Sequence, residues 1–304
     1  MLRVSPPAEA PPLPETPSAP PTPEPAATLL LLRQAPAGLE VLMLERHRAV
    51  DFVPGAMVFP GGKVDAGDRQ AGLRARTAGA GGLDDAALAA GAGGLDDAAL
   101  AVRVAAIREA FEECGVLLAR PRGSGEPVSG GRVRELRARY REALHAGRAD
   151  LASLVEREDL VLAADRLVHF AHWVTPLVVP RRYDTHFFAA EAPPDQAAAH
   201  DGLESVDSLW IAPRRALEES AAGRLAIVLP TLLNLERLAR SASVAEALEA
   251  ARRAPVVRVL PSVEARGSGA FVTIPEEAGY GRVEAPVHSL GPLPLGTRRA
   301  VPGS

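Results

Sequence analysis

The sequence predicts an α/β protein, and three observations carry that prediction. Two apolar runs, ATLLLLRQ (27–34) and LEVLMLER (39–46), flank a proline–glycine turn and read as a β-hairpin. Residues 102–114 carry apolar side chains at helical spacing. A second strand-like pair, LVHFAHWVTP (167–176) and RRYDTHFFAAE (181–191), is followed by further helical segments.

Composition bounds the function. With 304 residues and 47% hydrophobic content, the chain can bury a sizeable core. No apolar run approaches the roughly 18–20 residues that a membrane helix needs, so no membrane partner is expected. A net charge of −4 lacks the basic footprint of nucleic-acid binding. The single cysteine, Cys114, excludes an internal disulfide and fits a reducing, cytoplasmic compartment. Met1–Ala26 holds ten prolines and no apolar signal core, and reads as a disordered tail. Among 34 basic residues the sole lysine is Lys63, which sits in a glycine loop.

From residue 27 the elements follow in order. After the hairpin, GAMVF (55–59) reads as a short strand running into Pro60-Gly61-Gly62. Residues 79–90 and 91–102 then match at eleven of twelve positions. A tandem pair this short reads as a duplication rather than a solenoid, which needs at least three units. Its glycine pairs break helices, so a partly helical surface loop is expected over 69–102. The helix begins at Val102, with Gly115 as its C-terminal stop, and VLLA (116–119) resembles a strand. Residues 131–166, rich in Arg and Glu, predict two helices as an insertion. A polar loop (195–208) precedes a helix starting at Pro213, and LPTLLNLERLA (229–239) is a further amphipathic helix. The domain is thus drawn as 27–240. Residues 241–304, with one helix and two strands, form a C-terminal appendage.

The helix 102–114 carries the chemistry. With Glu109 set at zero and 100° per residue, Glu113 falls at about 40° and Glu112 at about 300°. Val104, Ile107, Phe111 and Cys114 gather on the opposite side, which predicts an inert, packed cysteine. Three carboxylates on one flank repel one another, and they lie where the helix dipole disfavours anions. A solvated acidic face is one reading of this flank. A divalent cation among the carboxylates is the other, because clustered oxygens suit Mg²⁺ or Mn²⁺.

The string RVAAIREAFEECGV resembles the second half of the Nudix box, G-x5-E-x7-R-E-U-x-E-E-x-G-U, with U aliphatic. Arg108, Glu109, Glu112, Glu113 and Gly115 stand at its fixed places. The first half begins at Gly62, with Asp68 where the family pattern has glutamate. Thirty-nine residues separate Asp68 from Arg108 where the pattern has seven. Lengthening a flexible loop that far costs only about 1.5 kcal/mol of closure entropy. The resemblance is to the branch that includes the animal coenzyme A diphosphatases, which also has a long insertion here. It extends through VPGAMVFPGG, HWVTP, PRRYDTHFF and WIAP.

The resemblance implies an α/β/α sandwich with a mixed sheet, and hydrolysis of a diphosphate joined to a nucleoside. It makes Glu109, Glu112 and Glu113 metal ligands for Mg²⁺ or Mn²⁺, with Gly62 beside the ion. Glu109 or Glu112 would generate the nucleophile, and Arg108 would fix a neighbouring carboxylate. Asp68 is an auxiliary acid or a loop-pairing residue. Arg46, His47 and Arg48 meet phosphates or form a solvated basic turn. Lys63, Arg181 and Arg182 are further candidates for substrate binding. Glu204 and Asp207 supply an auxiliary base or belong to a polar surface loop. His172 and His186, in strands, read as packed or hydrogen-bonded residues. Coenzyme A or acyl-CoA is the first substrate expectation. ADP-ribose, a nucleotide sugar and a non-catalytic nucleotide-binding role are the alternatives, and a homodimer is left open.

Overall fold

The computed structural model describes residues 20–47, 55–80, 95–198, 205–266, 269–281 and 283–290. Strands β1 (Glu24–Ala35) and β2 (Gly38–Arg46) form the expected antiparallel hairpin, in register from Leu32–Val41 to Ala35–Gly38. Strand β1 begins inside the proline-rich stretch, three residues before the predicted start of order at residue 27. Strand β3 (Met57–Val58) pairs with β2. Strand β4 (Gly61–Lys63) is the glycine loop itself, laid antiparallel against Ala26–Thr28.

The mixed sheet is completed by β7 (Val168–Val174), β8 (Tyr183–Glu191), β9 (Ser205–Ile211) and β10 (Arg258–Val259). Its order is β10-β7-β8-β1-β2-β3, with β4 on β1 and β9 on β2. Pairs β1–β8 and β10–β7 are parallel and the others antiparallel. Strand β9 corrects the polar loop expected over 195–208. Three of residues 205–208 are polar (Ser205, Asp207 and Ser208), yet the edge of β2 supplies hydrogen-bonding partners for this stretch, and tertiary pairing overrides local propensity.

Both faces of the sheet are covered, which explains the unbroken LLLL of β1. Leu29 and Leu31 point into one core and Leu30 and Leu32 into the other, all fully buried. The first core lies under α2 (Asp97–Cys114), beside the one-turn α1 (Ala71–Arg74). The helical insertion joins it as α3 (Gly130–Leu136), a π-helical turn over Arg137–Arg141, α4 (Glu142–His145) and α5 (Leu151–Arg157). A small ladder, β5 (Ala119–Pro121) with β6 (Leu160–Leu162), closes that layer.

The second core takes α6 (Pro213–Ala221), α7 (Leu229–Leu238) and α8 (Val244–Arg253). Beyond residue 240, Val244, Ala247, Leu248, Ala251 and Val259 are buried in it. A three-stranded sheet, β11 (Ser262–Arg266), β12 (Gly269–Thr273) and β13 (Glu284–Pro286), lies alongside. Tyr280 ties this part to the rest. Its hydroxyl accepts from Trp173 Nε1 at 3.2 Å and donates to Asn234 Oδ1 at 2.6 Å.

Helix α2 starts earlier than the sequence predicts. Asp96 caps it, accepting from the Ala99 amide at 2.7 Å, so DAALA of the second repeat copy is helical. The glycine pair ends at Gly94, just before that cap, and Leu100–Val102 are buried. Most of the remaining duplication lies outside the described residues.

Candidate active site

The carboxylates of α2 do not form a solvated face. Glu112 is 7% exposed and Glu113 3%. Glycines bring the β4 loop against them. A Cβ at Gly62 would lie 2.4 Å from Glu109 Oε1, and one at Gly61 would lie 2.5 Å from the Ala27 carbonyl oxygen. The Gly61 amide donates to Glu113 Oε2 at 2.8 Å. A side chain at residue 62 would crowd Glu109 and one at residue 61 would crowd β1, so the two glycines let the loop lie between strand and helix and the two halves of the motif meet despite the insertion.

Arg108 organises the acids around it. Its guanidinium forks onto Asp68, with Nε to Oδ1 at 2.9 Å and Nη2 to Oδ2 at 3.1 Å. Nη1 reaches Glu109 Oε1 at 2.9 Å and Glu112 Oε2 at 3.1 Å, and Nη2 also donates to the Lys63 carbonyl at 2.8 Å. Burial alone would lower the Arg108 pKa, but Glu109, Asp68 and Glu112 hold it well above its ordinary value. Burial lifts the Asp68 carboxyl against the pull of Arg108, and it raises Glu112 in the same way. Asp68, 2% exposed, also accepts from the Asp65 amide at 2.8 Å. It therefore sits beneath the site as the anchor of Arg108 and of the loop.

The C-terminal end of α2 is neutralised from outside the motif. Gly115 takes the left-handed conformation (φ +69°) and ends the helix. Arg141, from the π-helical turn, donates to the carbonyls of Glu112 at 2.7 Å and Glu113 at 2.8 Å. A guanidinium on these carbonyls offsets the dipole penalty of acids in the last turn. Sequence reading missed Arg141, because a helical Arg/Glu-rich segment does not reveal which arginine turns inward.

These groups open onto a cleft of about 750 Å³. Glu109, Glu112, Glu113, Arg108, Gly61 and Gly62 line one side of it. Arg46, Lys63 and Arg181 also line it. Lys63 Nζ pairs with Glu24 Oε2 at 2.6 Å, and Lys63 and Arg181 lie 6.0 and 5.9 Å from the Tyr183 ring centre. Tyr183 was not legible as a cleft residue from the sequence, because its place depends on the β7–β8 turn. Val174, Val179 and Leu144 give the cleft apolar walls.

Several candidates fall elsewhere. Arg182 is 6% exposed and donates to the carbonyls of Thr175 at 3.0 Å and Pro21 at 2.7 Å, so it braces a turn rather than lining the cleft. Asp207 is exposed on β9, opposite Glu45, and is not part of the cleft lining. Arg48 and Glu204 lie outside the described residues. Cys114 is fully buried, as predicted, and burial pushes its thiol up to about 12.

The donor chemistry fits a hard divalent cation. Around Arg108 and the loop stand the carboxylates of Asp68, Glu109, Glu112 and Glu113, an excess of acid in a half-closed cleft. Their oxygens are held by Arg108 and the Gly61 amide rather than drawn to one point. Among the described residues, one set of three donors lies within 4.8 Å of one another, and it is elsewhere: His172, Asp184 and His186.

Comparison with known proteins agrees with this architecture. Residues 88–238 match the family described as the NUDT19 Nudix domain, a span that holds α2 but not the glycine loop. The human acyl-coenzyme A diphosphatase NUDT19 is 31% identical over 262 residues, covering 77% of this chain and 66% of that protein. Its counterpart from Gallus gallus is 31% identical over 239 residues, covering 68% of this chain and 63% of that protein. The chain thus spans just under two thirds of the length of either relative. The crystal structure of a NUDIX hydrolase from Alicyclobacillus acidocaldarius superposes with a TM-score of 0.58 at 27% identity, covering 75% of this chain and 96% of that one. With the interrupted box reassembled in space, the chain belongs to the Nudix hydrolase superfamily, in its coenzyme A diphosphatase branch.

Proposed function

We propose that the protein hydrolyses the diphosphate bond of a nucleoside diphosphate-linked substrate, with Mg²⁺ or Mn²⁺ held by Glu109, Glu112 and Glu113. The single observation that carries this reading is the contact between Gly61–Gly62 and the acidic flank of α2 across the insertion. Nudix hydrolases generally use divalent metals, and such an ion, when bound, neutralises charge on bridging phosphate oxygens and lowers the pKa of water. The remaining work falls to the chain. Glu109 or Glu112 takes the proton of the attacking water, and Arg108, anchored by Asp68, fixes their rotamers. Lys63, Arg181 and Arg46, which line the cleft, meet the phosphates in this reading, and the Tyr183 face offers a stacking surface.

Coenzyme A or an acyl-CoA is the substrate we favour. The named activity of the relatives supports it, and so do apolar walls beside a basic rim in a cleft of ligand size. ADP-ribose and nucleotide sugars are the competing substrates. A panel of coenzyme A, acyl-CoA, ADP-ribose, NADH and nucleotide sugars with Mg²⁺ or Mn²⁺ decides among them. The expected result is diphosphate cleavage, fastest for the coenzyme A group. Glu112→Gln or Glu113→Gln should reduce it by several orders of magnitude with an unchanged melting temperature. Full turnover in those variants, or in excess EDTA, would sink the reading.

A further inference from the structure

We propose that His172, Asp184 and His186 form a second cation site, separate from the acidic flank of α2, that takes a borderline transition-metal ion such as Zn²⁺. In the β7–β8 register His172 faces His186 and Val174 faces Asp184. Asp184 and His186 are two residues apart on one strand, so they share a face, and His172 meets them from the neighbouring strand. The result is one ligand atom from each, all within 4.8 Å of one another.

The surroundings resemble those of a ligand set more than of packed core. The rings of His172 and His186 stack with centroids 4.1 Å apart, and His172 Nε2 contacts Asp184 Oδ1. His186 Nδ1 lies 3.1 Å from His169 Nε2, which leaves its Nε2 free to ligate and gives the ring an outer partner. Two imidazoles and one carboxylate favour Zn²⁺ over Mg²⁺, which prefers an all-oxygen sphere. Three protein ligands leave a fourth position open to water or to another group. The side chains of His172 and Asp184 are 16% and 26% exposed, so an ion can reach them.

Two cations oppose binding. Arg103 faces the histidines from α2, and Arg258 Nη2 lies 3.5 Å from Asp184 Oδ2 across from β10. Both moderate the affinity, and Arg258, half exposed, can swing away. The site neighbours the proposed catalytic one. One row across the sheet runs His172, His186, Ala27, Gly62. His186 and Gly62 are two strand spacings apart, about 10 Å.

The test is a calorimetric Zn²⁺ titration of the full chain in excess Mg²⁺, which occupies the glutamates, with Co²⁺ absorption as a second readout. A Zn²⁺ site that persists in Mg²⁺ is expected, with visible Co²⁺ bands of low coordination number. His186→Ala, His172→Ala and the nearly isosteric Asp184→Asn should each weaken it by more than about 100-fold. His169→Gln should cost the roughly 10- to 100-fold typical of an outer partner. Glu113→Gln should leave it intact. Asp184→Asn, checked for an unchanged melting temperature, guards against simple unfolding. Zn²⁺ binding that Mg²⁺ displaces, or that survives both Asp184→Asn and His186→Ala, overturns the proposal.

Discussion

A methyl group added at residue 62 would meet the end of a flexible side chain, whereas one at residue 61 would meet backbone. The nearest atoms are Glu109 Oε1 at 2.4 Å in the first case and the Ala27 carbonyl oxygen at 2.5 Å in the second. The two substitutions should therefore separate function from stability. Gly62→Ala is expected to push the Glu109 carboxylate aside, cutting metal-activated turnover while the melting temperature stays nearly constant. Gly61→Ala should disturb the β1–β4 pairing and cost about 1–3 kcal/mol, as overpacking does. Thermal melts and steady-state rates on both variants check this; equal melting temperatures would count against it. At this scale the sequence was informative where spacing alone encodes proximity. Glu109, Glu112 and Glu113 share a helix flank by periodicity, and Gly115 ends the helix by its own conformational freedom. Arg141 and Tyr183 were not legible, because their places depend on a π-helical turn and on a turn between strands.

Among the elements, α2 shows how the duplication is used. Its second copy supplies the Asp96 cap and the first turns of the helix, while Ala80 of the first copy is buried beside Arg74 of α1. Arg74 joins the two ends, donating to the Ala80 carbonyl at 2.9 Å and to Asp97 Oδ1 at 2.7 Å. Removing one copy leaves a single Gly-Ala…Asp-Asp-Ala-Ala-Leu unit that provides both ends. Five Cα steps would then join residues 80 and 97, a reach of about 17 Å, ample for two groups that touch one guanidinium. Deletion of 79–90 is accordingly expected to leave the melting temperature within about 2 °C, since surface changes rarely exceed ±0.5 kcal/mol. A large loss would show that the duplication bears on the core. The sequence revealed the repeat but not that helix begins within it. The glycine pairs suggested a loop throughout, yet their helix-breaking effect stops where the cap begins.

For the molecule as a whole, the sheet divides two cores, and its histidine cluster couples stability to pH. Burial lowers His169 and His186 to about 4, helped by the neighbouring histidines and Arg103. Between an ordinary value of 6.5 and about 4, the unfolded chain binds protons that the folded chain refuses. Their contribution to stability is thus complete above pH 6.5 and lost as pH falls toward 4. Each contributes a slope of at most about 1.4 kcal/mol per pH unit, less after solvent screening. Asp68 and Glu112, whose carboxyls are raised, act in the opposite sense in the carboxylate range. Urea melts in EDTA from neutral pH down to about 4 should show falling stability, and His169→Gln should flatten the slope. A flat profile in the unsubstituted chain would refute this.

What the sequence determined by itself was local: a hairpin around a proline–glycine turn, a helix with acids on one flank, and an interrupted motif whose halves belong together. These follow from periodicity, turn chemistry and spacing, which act over a few residues. The tertiary structure alone decided which distant pieces touch. It buried the acidic flank, set Asp68 under Arg108, packed residues 244–259 into the second core and brought His172 against Asp184 and His186. Such contacts arise when strands far apart in the chain pair in one register and bury their faces together, and no window of sequence contains both partners.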